Sequence, residues 1–166
     1  MKTMRKVWIL GLLAVLLLGG CGKPAPDSSD LDYSRLIVPA VDLTITDCIT
    51  EQQLATVVGY PMHLLGVYEE DTQAVYLSED GSCQVTIHMM NQTRAGFEAQ
   101  VTAATVPLVM QEGVGEIAYW YDGAAQLMIY SDGYALDVAV TCADTVQMDT
   151  QTRQIAELIL AQLQQQ

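Results

Sequence analysis

The sequence predicts an α+β domain, an antiparallel sheet of about six strands in two three-strand meanders, with helices packed on one face. Three observations predict it. Asp80-Gly81, Asp122-Gly123 and Asp132-Gly133 each separate two apolar runs, and that dipeptide between strands closes hairpins. The runs near 82–90 and 134–142 alternate with period two. Cys83, Val85, Ile87 and Met89 share one side, with Ser82, Gln84, Thr86 and His88 opposite; Tyr134, Leu136, Val138, Val140 and Cys142 likewise oppose Ala135, Asp137, Ala139 and Thr141. Such alternation belongs to a sheet with one buried face. Ile155, Leu158, Ile159 and Leu163 then form an apolar stripe at helical spacing, which supplies a cover.

In chain order, residues 1–20 come first. Lys2, Arg5 and Lys6 precede an apolar run of twelve residues, Val7 to Leu18. A spanning helix needs about 20 residues, so this run has the length of a secretory signal's core instead. Residues 21–47 read as a polar tether followed by an extended arm, with Pro24, Pro26 and Pro39 arguing against helix or central strand. Residues 48–166 read as a single α+β domain. Thr50 with Gln53 is a capping box opening a short helix that Gly59 and Pro61 stop. Strands near 62–70, 73–79 and 82–90 follow, then a helix over 93–104. Gly113 and Gly115 bound a loop that needs unusual dihedrals. Strands near 116–121, 125–131 and 134–142 form the second meander, and a helix over 150–164 closes the chain.

The 166 residues carry 7 Lys+Arg against 20 Asp+Glu, a net charge of −13. Removing residues 1–20 takes away three bases and no acid, leaving four against 20, or −16. Nothing in such a chain neutralises a run of phosphates, so nucleic acid is excluded as a partner. An anionic membrane surface repels the domain, so any membrane attachment falls to an anchor.

Leu18-Gly19-Gly20-Cys21 resembles the lipobox of bacterial lipoproteins: an aliphatic residue, two small ones, then cysteine. The resemblance implies acylation of the Cys21 thiol and cleavage before it. Two acyl chains, at about 0.8 kcal/mol per buried CH₂, hold a protein stably where one does not. The implied location is the cell membrane, lipid-anchored, on the extracytoplasmic side.

An exported domain permits disulfides. Cys48–Cys83 is the expected bridge, with Cys142 a buried free thiol; Cys48–Cys142 is the alternative, and three unbridged thiols acting as small hydrophobes are the third. His63, His88 and Met90 invite a soft-metal reading, but two histidines and no further ligand do not make a site, so no metal and no cofactor is expected. Gly113-Val114-Gly115 runs into a strand rather than a helix, unlike a dinucleotide loop. No nucleophile motif appears, and Glu69-Glu70-Asp71 and Glu79-Asp80 fall at hairpin ends, where solvation explains them. The chain reads as a non-enzyme.

Cys48, Cys83 and the segment Gly113-Val114-Gly115-Glu116-Ile117-Ala118-Tyr119-Trp120 resemble uncharacterised lipoproteins of Gram-positive bacteria, which carry a GLG-acid-x-A-aromatic segment and a closing helix. The resemblance covers about residues 48–165. It implies the architecture and the Cys48–Cys83 pair, from which Cys142 departs, and implies no activity. The expected function is therefore a non-catalytic module binding an envelope protein or a small ligand. The uncovered sheet face supplies the candidate contact surface: Thr86, His88, Asp137, Thr141 and, if exposed, Trp120. The alternative is an inhibitor or regulator of a cell-envelope enzyme, acting through the loop 105–115.

Overall fold

In the computed structural model of the protein, which describes residues 43–69, 71–143 and 147–165, the two meanders meet at their last strands. Residues 1–42, with the signal, Cys21 and the tether, lie outside the described residues. The elements are α1 (Ile45–Cys48), α2 (Glu51–Val58), β1 (Met62–Tyr68), β2 (Gln73–Ser78), β3 (Cys83–Asn91), α3 (Arg94–Ala103), β4 (Val109–Gln111), β5 (Ile117–Tyr121), β6 (Gln126–Ser131), β7 (Tyr134–Cys142) and α4 (Met148–Leu163). One seven-stranded antiparallel sheet runs in the order β1-β2-β3-β7-β6-β5-β4. The α+β class and the two meanders are as the sequence predicts, with β4 added at the far edge.

Local chemistry sets the boundaries. Thr50 and Gln53 exchange the bonds of a capping box, Gln53 N–H donating to Thr50 Oγ1 at 3.2 Å and Thr50 N–H to Gln53 Oε1 at 2.9 Å. Gly59, at φ +80°, ends α2 in the left-handed conformation. Asp132 (φ 51°) and Gly133 (φ 86°) are both left-handed, as a two-residue hairpin turn demands. Asp122-Gly123 behaves differently, forming a short 3₁₀ turn whose left-handed residue is Ala125. Gly115 combines φ +57° with close approach, since a Cβ there would lie 2.6 Å from Ile129 Cγ2.

Four expectations are corrected. Residues 45–48 are a helical turn, not an extended arm, because Thr44 N–H donates to Asp47 Oδ2 at 3.1 Å and Ile45 and Cys48 turn together into the core. The domain thus includes Leu43, packed against that core. The disulfide joins Cys83 to Cys142, and Cys48 is the buried free thiol. The reason is register: β3 and β7 are neighbours, and Cys83 lies directly opposite Cys142 on the buried face. A buried Ser78 hydroxyl accepts from Cys83 N–H at 2.9 Å and donates to Asp80 at 2.8 Å, which ties that end of β3 to the preceding turn. Burial pushes the Cys48 thiol above its usual range, so it stays protonated and inert.

The helices, lastly, do not all share one face. α1, α2 and α4 cover the inner face, over Tyr76, Val85, Ile87, Leu127, Ile129, Leu136 and Val138. α3 packs on the outer face, where Phe97 and Val101 meet Met90, Ile117, Tyr119, Met128, Tyr130 and Ala135. The cause lies in β6: Leu127, Met128, Ile129 and Tyr130 are all buried, so both of its faces need a cover. Phe97, fully buried between Tyr119 and Tyr130, anchors α3 with ring centroids at 6.5 and 5.9 Å.

Candidate functional site

α3 covers only one half of the outer face. Over β1, β2, β3 and the C-terminal half of β7 that face carries a mixed row of uncharged side chains: Gln73, Val75 and Leu77 of β2, Gln84 and Thr86 of β3, and Ala139 and Thr141 of β7. They point outward because Ala74, Tyr76, Cys83, Val85, Ile87, Val138 and Val140 on the same strands point inward. Gln84 Nε2 donates to Thr86 Oγ1 at 3.2 Å along the stripe.

At the boundary between the open half and the α3 cluster stands a histidine–carboxylate pair. His88 of β3 lies directly opposite Asp137 of β7, whose other cross-strand neighbour, Met128, is under α3. The ring Nδ1 is 4.0 Å from Asp137 Oδ2, and Nε2 is 3.5 Å from Glu69 Oε2. His88 is 22% exposed and Asp137 20%, against 63% for Glu69. Burial drives the Asp137 carboxyl up to about 6, and the attraction of His88 offsets part of that rise. The Asp137 carboxyl therefore takes up or releases a proton within the range where many proteins work, and it offers a cationic or hydrogen-bonding group a partly desolvated acceptor.

Thr86, His88, Asp137 and Thr141 are brought to one face, as the alternation predicts. Trp120 is not. It pairs with Val109 and Leu127 on the inner face, packs against the main core, and its Nε1–H points to Asp122 Oδ1 at 3.4 Å. Its place in a common contact surface is thereby corrected: period two puts it opposite Tyr119, and Tyr119 belongs to the α3 side. Glu69, read from the sequence as a solvated hairpin end, is the neighbour of His88 that the sequence reading missed. It adopts φ +53° at the β1–β2 turn, beside the row Tyr68–Gln73–His88, and its Oε2 reaches within 3.5 Å of His88 Nε2. The Gln73–His88 register was the only signal, and it needs the strand pairing.

The second histidine, His63, sits on edge strand β1 between Glu79 at 3.2 Å and Glu51 at 3.9 Å. Glu51 also accepts from Leu64 N–H at 2.7 Å, which blocks an outward donor of that edge. Among the described residues no group of three or more His, Cys, Asp or Glu is arranged to hold a metal ion, and Met90 is taken up by the α3 cluster. No helix of the described residues is long and apolar enough to cross a membrane. No protein-family model, curated protein or solved structure matches this chain.

Proposed function

We propose that the chain is a lipid-anchored extracytoplasmic protein that binds an envelope protein, without catalysis, through the open half of its outer sheet face. The anchor rests on Leu18-Gly19-Gly20-Cys21 after a twelve-residue apolar run. The binding face rests on one observation above the others: the His88–Asp137 pair stands partly buried where the α3 cover ends, flanked by Glu69 and by uncharged Gln73, Thr86 and Ala139. Interface energy concentrates in a few central groups that become desolvated behind a ring of water-excluding contacts. Thr86, His88, Asp137 and Thr141 are the residues assigned to contact.

Two substitutions test the two halves. Cys21→Ala moves the protein from the membrane to the soluble fraction; unchanged fractionation contradicts the anchor. Thr86→Lys with Thr141→Lys, both at solvent-facing sites, abolishes recovery of a stoichiometric partner while leaving the melting temperature in place; undiminished recovery contradicts the face. The alternative, an inhibitor of an envelope enzyme, draws on the exposure of Val106, Val109 and Met110, the last at 64%. It predicts that Met110→Lys, and not Thr86→Lys, breaks the complex.

A further inference from the structure

The inner face has its own uncovered corner. α4 packs on β7 and β6, and beyond it Trp120 of β5 stands in register between Leu127 of β6 and the exposed Val109 of β4. Between that corner and the start of α4 lies a cleft of about 270 Å³, lined by Gln111, Trp120, Leu127, Asp149, Thr150 and Arg153.

Its two sides differ in chemistry. The floor is apolar, with the indole of Trp120 beside fully buried Leu127. The wall mixes donors and acceptors. Arg153 is held in place as Nη1 donates to Glu112 O at 3.2 Å and Nη2 to Gln111 Oε1 at 3.1 Å. A guanidinium has five N–H donors, so this anchoring leaves others for a ligand. Asp149 is fixed by Thr150 N–H at 2.7 Å to Oδ1, and its side chain remains exposed beside the Thr150 hydroxyl.

Charge and polarity choose the ligand. An anion meets Asp149 and a chain of net charge −13. A cation meets Arg153, and a wholly apolar molecule strips water from the wall without replacing its hydrogen bonds. A ring with one C–H face and a rim of hydroxyls satisfies both sides, because each hydroxyl donates and accepts. The volume sits just under the usual ligand range of about 300–1,000 Å³, which limits the buried part to one ring.

We propose that this cleft binds a single pyranose ring of a neutral sugar, stacked on Trp120 and hydrogen-bonded to Asp149 and Arg153. The site is independent of the outer face and of Cys21. The sequence holds two tryptophans, and Trp8 lies in the leader that the lipobox reading removes. Trp120 is thus the sole reporter in the processed protein, and Trp8→Phe keeps it so in any unprocessed chain. Methyl α-glucopyranoside, methyl α-galactopyranoside and N-acetylglucosamine are titrated while Trp120 emission and its indole N–H resonance are followed. At least one sugar gives a saturable shift with Kd of about 1 mM, the affinity expected of one ring in an open cleft. Asp149→Asn weakens it about tenfold with the melting temperature unchanged. Sodium phosphate and lysine methyl ester give no saturable shift. A β-linked disaccharide of N-acetylglucosamine binding as tightly as the monosaccharide places the ring at a chain end; a tighter monosaccharide makes the ligand a free sugar. No saturable response to any sugar at about 100 mM, a hundredfold above the expected Kd, overturns the proposal. So does sugar binding that Asp149→Asn leaves unchanged.

Discussion

The two faces of one sheet are built from the same strands and end differently. Inward, Tyr76, Val85, Ile87, Val138, Leu136, Leu127 and Ile129 make a continuous apolar surface under α1, α2 and α4. Outward, α3 covers β5, β6 and the near half of β7, and the rest is open. The difference follows residue by residue from the strands. β3 and β7 alternate, so they need one cover; β6 has four apolar residues in a row, so it needs two. Asp137 sits where the two regimes meet, with covered Met128 on one side and His88 on the other. A sheet can thus be sealed for stability on one side and keep a partly buried histidine–carboxylate pair on the other.

The largest effect expected concerns the sealed face. Replacing Cys83 and Cys142 by Ala opens a loop of 59 residues and costs about 4 kcal/mol, measured by denaturant unfolding. A peptide map of the unreduced protein should join Cys83 to Cys142 and show Cys48 alkylated only after unfolding. On the outer face, Phe97→Ala costs about 3 kcal/mol. It speeds hydrogen exchange in α3 before β3 and β7; equal acceleration everywhere would mean that the two faces do not come apart.

Asp137 separates the faces by pH. Its folded carboxyl titrates at about 6, above the ordinary 3.8, so folding favours the protonated form. The stabilising contribution is complete below about pH 3.8 and is lost as pH rises through about 6, a swing of at most about 3 kcal/mol. Asp137→Asn should therefore raise the melting temperature at pH 8 more than at pH 4. Asp80 has the opposite sign: bonds from Ser82 and Ser78 lower its carboxyl to about 2, so its contribution is present above pH 3.8 and fades as pH falls toward 2. The smallest effect is Arg94→Ala, which removes the exposed 3.0 Å pair with Glu98 one helical turn on and the 3.8 Å pair with Glu116, and moves the unfolding midpoint less than any change above.

Much of this contrast was legible before the structure. Alternation placed Thr86, His88, Asp137 and Thr141 together, and the strands of both meanders lie within two residues of their predicted ends, because period two and Asp-Gly turns are local signals. What failed was non-local. Pairing Cys83 with Cys142 requires β3 beside β7, a contact between strands 59 residues apart at those ends. The side taken by α3 depends on Phe97 meeting Tyr119 and Tyr130, which a ten-residue helix with one buried aromatic does not announce. The single turn of α1 and the three residues of β4 are too short for any period to register. Glu69 and the Trp120 cleft both arise from tertiary placement, one through a turn at positive φ and the other through α4 docking on the sheet.

One measurement bears most directly on the claim that the open outer half is the binding face. A photo-reactive residue is placed at Thr141 on that half, and in a second protein at Glu157, exposed on α4 at the opposite side. Irradiation of membranes should give one adduct of defined mass from position 141 and none from 157, and Thr86→Lys should remove it. The same adduct from both positions, or from 157 alone, would contradict the account.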